Sequence, residues 1–236
     1  MSYFLTTNSL ELNTSSTLAG DEANHLLLSR RIKVGEEIEV QDSHNKRFLC
    51  TVEKIHKKSL EFTPIKKLIT PKEYGTKIVL CQGLVAEQAL DIIIQKSTEL
   101  GVHEIIIFSA DHSPRSIKPE KLGRWEKIAI EAAKQCGRIQ GANIKLSSFS
   151  DILKTTTQGT AYYLSQHANK TFTQLKTIPA SKKNVILLVG PEGGWSETEQ
   201  KTLASSQAVP LLLSPFTLRA ETAAITAISQ ISLFLS

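Results

Sequence analysis

The chain has little from which to build a metal centre, a disulfide framework or a membrane anchor. Its three cysteines, Cys50, Cys81 and Cys136, are odd in number and lack CxxC spacing, so neither a disulfide set nor a zinc site is expected. The six histidines are scattered, and none stands at metal-ligand spacing from a cysteine or an aspartate, so no metal is expected. The opening residues MSYFLTTNSLELN have no basic stretch leading into an apolar core. No apolar run approaches the roughly 20 residues that cross a bilayer. No membrane partner is expected, and a reducing cytoplasm is the expected location.

Charge of one sign is also scarce. The 236 residues hold 28 Lys+Arg against 23 Asp+Glu, a net +5, which is mild for a nucleic-acid binder. The charge is nevertheless unevenly placed. Between positions 44 and 72, Lys46, Arg47, Lys54, Lys57, Lys58, Lys66, Lys67 and Lys72 face only Glu53 and Glu61. Between 114 and 145, Arg115, Lys118, Lys121, Arg124, Lys127, Lys134, Arg138 and Lys145 face Glu120, Glu126 and Glu131. Two such segments fit a surface that follows phosphates, although a solvated lysine face gives the same count.

The length suits one large domain or two with separate cores, and the pattern changes near Ile69 to Thr76, where Pro71 and Gly75 interrupt it. Before the break, Tyr3 to Thr6, EEIEVQD, RFLCTVEKI and SLEFTPI alternate with period two between polar turns, as in a small β-barrel, with His25 to Ile32 as a helical turn plugging it. After the break, helical and apolar segments alternate, which predicts an α/β sheet of mainly parallel strands. KIVLCQG, HEIIIFSA, TAYYLSQ and VILLV are the expected strands. Ala86 to Leu100, Glu120 to Cys136 and Thr222 to Leu235 are the expected helices, the first two stopped by Gly101 and Gly137.

The C-terminal fifty residues repeat one device. VILLV feeds Gly190-Pro191-Glu192-Gly193-Gly194, and Ser196 with Glu199 reads as a capping box opening a helix. VPLLL then feeds Ser214-Pro215-Phe216-Thr217-Leu218-Arg219-Ala220-Glu221 and another helix. All-apolar strands belong to sheets covered on both faces, and loops at their C-terminal ends bind ligands. Gly193 and Gly194 permit positive φ and close backbone approach, and Pro191 fixes the entry. No lysine follows as a P-loop requires, and Glu192 repels anions. Positions 185 to 236 hold Lys201 and Arg219 against Glu192, Glu197, Glu199 and Glu221. A neutral or cationic small molecule fits that balance better than a nucleotide polyphosphate.

LLVGPEGGWSETE (187–199) and LLLSPFTLRAETAAITAI (211–228) resemble the two signature segments of the SPOUT methyltransferases, specifically the RsmE-type 16S ribosomal RNA (uracil-N3)-methyltransferases. QKSTELGV (95–102), WEKIAIEAAKQCGR (125–138) and ANHLLLSRRIKVGEEIEVQD (23–42) extend the resemblance, in order, over nearly the whole chain. It implies a PUA-like β-barrel over residues 1–70 and a SPOUT α/β domain with a C-terminal trefoil knot over 75–236. It also implies S-adenosyl-L-methionine (SAM) as cofactor, 16S rRNA or the small ribosomal subunit as partner, and a homodimer. The cofactor is expected against Leu164, Gly190, Pro191, Glu192, Gly193, Gly194, Leu213, Ser214 and Leu218. The apolar terminal helix needs a covering surface, either a second subunit or the sheet itself.

The implied reaction requires the weakly acidic uracil N3–H to leave while N3 faces the methyl donor. Arg219 is the candidate for stabilising a developing oxyanion at O2 or O4, or for holding the target phosphate. Glu221 either accepts the proton or holds Arg219; the supporting role is preferred, since a carboxylate beside an arginine is a poor base. Arg31, Arg138, Lys57 and Lys58 are the candidate RNA contacts. Lys96 and Glu99 read as an ordinary salt-bridged helix end. The chain departs from the family pattern at Phe216, where a cation is usual, at Ala220, at Ser29-Arg30, at Tyr3 and within FSADHSPRS. These departures touch positions expected to face RNA. Related alternatives are a SPOUT enzyme with another RNA target, or a non-catalytic ribosome-assembly protein.

Overall fold

The computed structural model describes residues 3–114, 118–175 and 184–235. Arg115, counted above in the second basic segment, lies outside them. The chain forms two compact units, one of residues 1–72 with 134–139 and the other of residues 73–133 with 140–236. The short piece Lys134 to Ile139, including the last turn of a helix, therefore belongs with the N-terminal unit. Nothing in its sequence sets it apart from the residues before it.

The first unit is a five-stranded curled sheet. Its elements are β1 (Phe4–Leu5), β2 (Ser16–Ala19), α1 (Gly20–Asn24), β3 (Glu37–Gln41), β4 (Arg47–Ile55) and β5 (Ser59–Lys67). The order is β1-β3-β4-β5-β2, antiparallel apart from the β1–β3 pair. Alternate residues of β4 and β5, among them Phe48, Cys50, Val52, Leu60 and Phe62, point inward, as the period of a strand requires. Register shifts at Leu49/Cys50 and Val52/Lys54 are the irregularities that bend a ladder toward a barrel. The turn expected at His25 to Ile32 is a π-helical turn, His25–Arg30, that buries Leu26 in the core and ends with Arg31 at φ 51°.

One buried polar node ties this unit together. The Arg47 guanidinium lies 3.7 Å from the Tyr3 ring centroid and donates to the carbonyls of Gly137 (3.2 Å) and Arg138 (3.0 Å) and to Gln41 Oε1 (3.1 Å). Tyr3 donates its hydroxyl to the Arg138 carbonyl at 2.7 Å. Burial pushes the Tyr3 phenol up to about 12, against the opposing pull of Arg47. Tyr3 and Arg47 are interior residues. The expectation that Tyr3 faces RNA and that Arg47 adds to a phosphate-following surface is corrected accordingly.

The second unit is a six-stranded sheet, parallel throughout. Its elements are β6 (Lys77–Gly83), α2 (Glu87–Glu99), β7 (Val102–Ser109), α3 (Leu122–Cys136), β8 (Asn143–Ser148), α4 (Phe149–Thr155), β9 (Thr160–Leu164), β10 (Asn184–Val189), α5 (Glu197–Ala204), β11 (Val209–Leu211) and α6 (Ala220–Ser232). The order is β11-β9-β10-β6-β7-β8. Ile78, Leu80, Val185 and Leu187 pack with α2, α3 and α6, while their neighbours Val79, Cys81, Ile186 and Leu188 pack with α4 and α5. A sheet covered on both faces is why its central strands are apolar without alternation. Gly101 and Gly137 end their helices at φ 89° and 84°, values that favour glycine. Lys96 and Glu99 form the expected ion pair at 2.9 Å.

Candidate functional site

The C-terminal ends of β9, β10 and β11 open on a cavity of about 860 Å³, roofed by the N-terminal halves of α2 and α6. This is where a parallel sheet exposes strand-end loops and helix starts to a ligand. Gly190 to Gly194 form one wall, with Leu164 at the end of β9 beside them. Leu213 and Leu218 contribute apolar surface, and Arg219 and Glu221 stand at the start of α6. The structure thus brings together residues separated by more than fifty positions in sequence. Ser214 is the exception: it is not among the lining residues, and its Oγ instead accepts from the Phe216 amide at 3.0 Å, closing the turn.

The glycine wall is held from several sides. Ser196 and Glu199 form the capping box foreseen from sequence, with Glu199 N donating to Ser196 Oγ (3.2 Å) and Ser196 N to Glu199 Oε2 (2.9 Å). The Trp195 indole donates to the Leu164 carbonyl at 2.9 Å and lies 8° from parallel with the Phe108 ring. A Cβ on Gly190 would sit 3.1 Å from the Trp195 ring, so the loop closes against that ring. Only Gly194 of the loop uses positive φ, 71°. Gly193 is needed for a different reason: its Cβ direction runs into His112, 2.8 Å away, rather than into the cavity. Glu192 accepts from the Ala86 amide at 3.0 Å, fixing the loop to the start of α2, where a carboxylate also suits the helix dipole.

Arg219 and Glu221 form no ion pair with each other, and neither has a hydrogen-bonded side-chain partner among the described residues. The structure therefore shows no contact behind the supporting role preferred for Glu221. The cavity wall has apolar surface in Val189, Leu211 and Leu213, and two carboxylates, Glu192 and Glu221, against the single guanidinium of Arg219. That chemistry fits a mostly neutral ligand carrying positive charge. Sequence reasoning did not include Gln88, Gln166, His167 or Gln200, all of which line the cavity, as does Thr217 of the expected second loop. Gln166 and His167 follow β9 directly, so the strand-end rule already pointed to them; Gln88 reaches the cavity only through the packing of α2.

The RNA candidates lie elsewhere. Lys57 and Lys58 are exposed in the β4–β5 turn, and Arg31 is exposed beyond the π-helical turn. Arg138 is buried, so its guanidinium is not the open phosphate contact expected from the sequence. In the second basic segment, Lys121 pairs with Glu87, Arg124 with Glu87 and Asp91, Lys134 with Glu22 and Lys145 with Glu104. Its excess of basic residues is spent largely in ion pairs. Among the described residues no helix is long and apolar enough to cross a membrane, and no group of three His, Cys, Asp or Glu is placed to hold a metal.

Comparison with known proteins defines the class first. Residues 72–232 match the RNA methyltransferase domain and residues 18–65 the RNA methyltransferase PUA domain. Ribosomal RNA small subunit methyltransferase E of Rickettsia conorii is 30% identical over 226 residues, covering 94% of this chain and 91% of the relative. The protein of that name in Bacillus subtilis is 28% identical, covering 97% and 93%. The chain belongs to the ribosomal RNA small subunit methyltransferase E family of RNA methyltransferases. Among solved structures, the Neisseria gonorrhoeae member bound to S-adenosyl methionine superposes with a TM-score of 0.87 at 25% identity, covering 99% of this chain and 97% of that one. A putative methyltransferase of Legionella pneumophila in complex with SAM gives 0.87 at 27% identity, covering 98% and 96%.

Proposed function

We propose that the chain is a SAM-dependent methyltransferase acting on uracil N3 of a specific uridine of 16S ribosomal RNA, on the small ribosomal subunit, in the cytoplasm. The observation that carries this reading is the strand-end cavity. It has room for the cofactor, apolar walls for its neutral parts and an excess of carboxylate over guanidinium for its cationic sulfur. The backbone of Gly190 to Gly194, with Leu164, Leu213 and Leu218, holds the cofactor. When bound, SAM supplies an electrophilic methyl group.

The chain's own residues supply orientation and charge. Arg219, exposed at the start of α6, donates to the oxyanion that develops on the uracil as N3 loses its proton. Glu221, without an arginine partner, accepts the N3 proton directly or through water. Enclosing the reacting groups in one cavity contributes by orientation, which in favourable models accounts for roughly 7–11 kcal/mol. The N-terminal unit, residues 1 to about 70, supplies RNA affinity through Arg31, Lys57 and Lys58. Residues 75–236 carry the chemistry, with a trefoil knot that the resemblance implies for the β9, β10 and β11 region. A homodimer belongs to the same reading, supported by the exposed Leu233 after α6 (75%).

Methyl transfer from labelled SAM to small subunits lacking the modification, followed by mass spectrometry of the digested nucleosides, tests the proposal. The expected product is 3-methyluridine at one position. A methylated ribose or a different base refutes the N3 assignment, and no transfer to any RNA refutes the enzyme.

A further inference from the structure

We infer that His112 is a positioning residue for the cofactor pocket: the loop after β7, through His112 and Asp111, holds the Gly190–Gly194 loop in its binding shape by gripping Gly193 and the start of α5. The inference rests on the cofactor reading above. His112 is outside the cavity lining, and it falls in the stretch where this sequence departs from the pattern it resembles.

Four hydrogen bonds carry it. Ser196 Oγ donates to Asp111 Oδ2 at 2.5 Å, and the Asp111 amide donates to Glu199 Oε1 at 3.0 Å. The other oxygen of Glu199, whose side chain is buried at 2% exposure, accepts from the Ser196 amide at 2.9 Å. One carboxylate thus joins the end of β7 to the start of α5. His112 makes the remaining tie, 3.0 Å from Nδ1 to the Gly193 carbonyl; since a carbonyl only accepts, Nδ1 carries the hydrogen. Its Cβ also packs where a Gly193 side chain would otherwise stand.

A loop with two adjacent glycines loses much conformational freedom when it orders. Only the fraction of molecules with the loop in its binding shape takes the ligand, so apparent affinity falls with that fraction. The capping box fixes the loop's far end at Ser196, and Glu192 fixes its middle to α2. The carbonyl of Gly193 is fixed by His112. Breaking that bond releases the glycine pair of the cavity wall without replacing any residue that lines the cavity.

The test uses the full chain with His112→Ala and His112→Asn. Calorimetry gives SAM affinity, turnover at saturating SAM gives kcat, and a thermal melt reports folding. His112→Ala is expected to weaken SAM binding by about 3- to 10-fold, the reach of one hydrogen bond. Turnover at saturating SAM should stay within about twofold, because His112 touches no reacting group. The exposed site leaves the melt unchanged. Asparagine places an amide nitrogen near the position of Nδ1 and should restore affinity to within about twofold of wild type. Wild-type binding with an unchanged alanine variant overturns the inference alone, as does equal weakening in both variants. A wild type that binds no SAM overturns the cofactor reading instead.

Discussion

Arg219→Lys separates catalysis from structure at one residue. Arg219 precedes the first residue of α6 with no side-chain cap bond, is exposed, and has no hydrogen-bonded or ion-paired side-chain partner among the described residues. A substitution there should change stability by no more than about 0.5 kcal/mol, the usual range for surface positions free of specific contacts. The catalytic cost is of another size. Lysine keeps the charge but loses the planar fork that two-point recognition of a uracil edge or phosphate needs. Losing one preorganised oxyanion donor costs about 2.7–4 kcal/mol, or about 10²- to 10³-fold. With part of the electrostatic contribution retained by the lysine charge, the lower end applies, about 10²-fold. Single-turnover transfer of labelled methyl to small subunits measures this, with SAM affinity and a urea melt alongside. The expected pattern is a slow chemical step, near-normal SAM affinity and an unchanged melt. Near-normal transfer would move Arg219 out of the catalytic set.

Two further outcomes test other parts of the molecule. Replacing Lys57 and Lys58 together by alanine should lower the slope of log affinity for RNA against log salt by about 1.4–1.8, since each phosphate contact contributes about 0.7–0.9, while SAM affinity is unchanged; an unaltered slope would make that turn an ordinary solvated one. Burial pushes the thiols of Cys50 and Cys81 up to about 12, whereas Cys136 is only partly buried. A disulfide reagent at pH 8 should therefore modify one thiol of the native protein quickly and the other two only after denaturation, and three fast thiols would contradict the packing of both units.

What the sequence made legible follows strong periodicity and what it hid follows packing. VILLV, HEIIIFSA and KIVLCQG stood out because strands covered on both faces are apolar at every position, and each is a strand of the parallel sheet. β8, whose sequence is NIKLSS, lies at the edge of that sheet and is largely open, so its pattern carries little signal. β2 is four residues long, and α4 is seven, with Ser148 capping it; elements that short rarely announce themselves. The cavity was legible from the rule that ligands bind at the C-terminal ends of parallel strands, which pointed to Gly190–Gly194 and to the loop ending at Glu221. The tie from His112 to Gly193 was not, because it joins residues 81 positions apart and depends on β7 and β10 ending at the same side of the sheet. Arg138 shows the opposite error. A cation just past a helix end reads as surface, yet this one is drawn in with the segment that joins the N-terminal unit.

The terminal helix links these observations to the chemistry. Its apolar composition raised a need for cover, and the chain meets that need internally: Ala224, Ala227, Ile228 and Ile231 are fully buried, with α6 packed on α2 and β10. Small residues at Ala224 and Ala227 let the helix approach its neighbours closely, and the isoleucines fill what remains. The composition of α6 therefore says nothing by itself about a second subunit; the proposed homodimer rests on the resemblance and on the exposed Leu233. It does bear on the site. Ala220, the first residue of α6, is buried between two open neighbours, with Arg219 exposed on one side and Glu221 half-buried on the other. A side chain carried on the first turn of a helix anchored along its whole length inherits the rigidity of the core, which a side chain on the preceding loop lacks. Glu221 sits in that first turn and Arg219, the N-cap residue, abuts it, so both backbones are fixed at the cavity mouth while neither head group is paired among the described residues, the state that the proposed roles require.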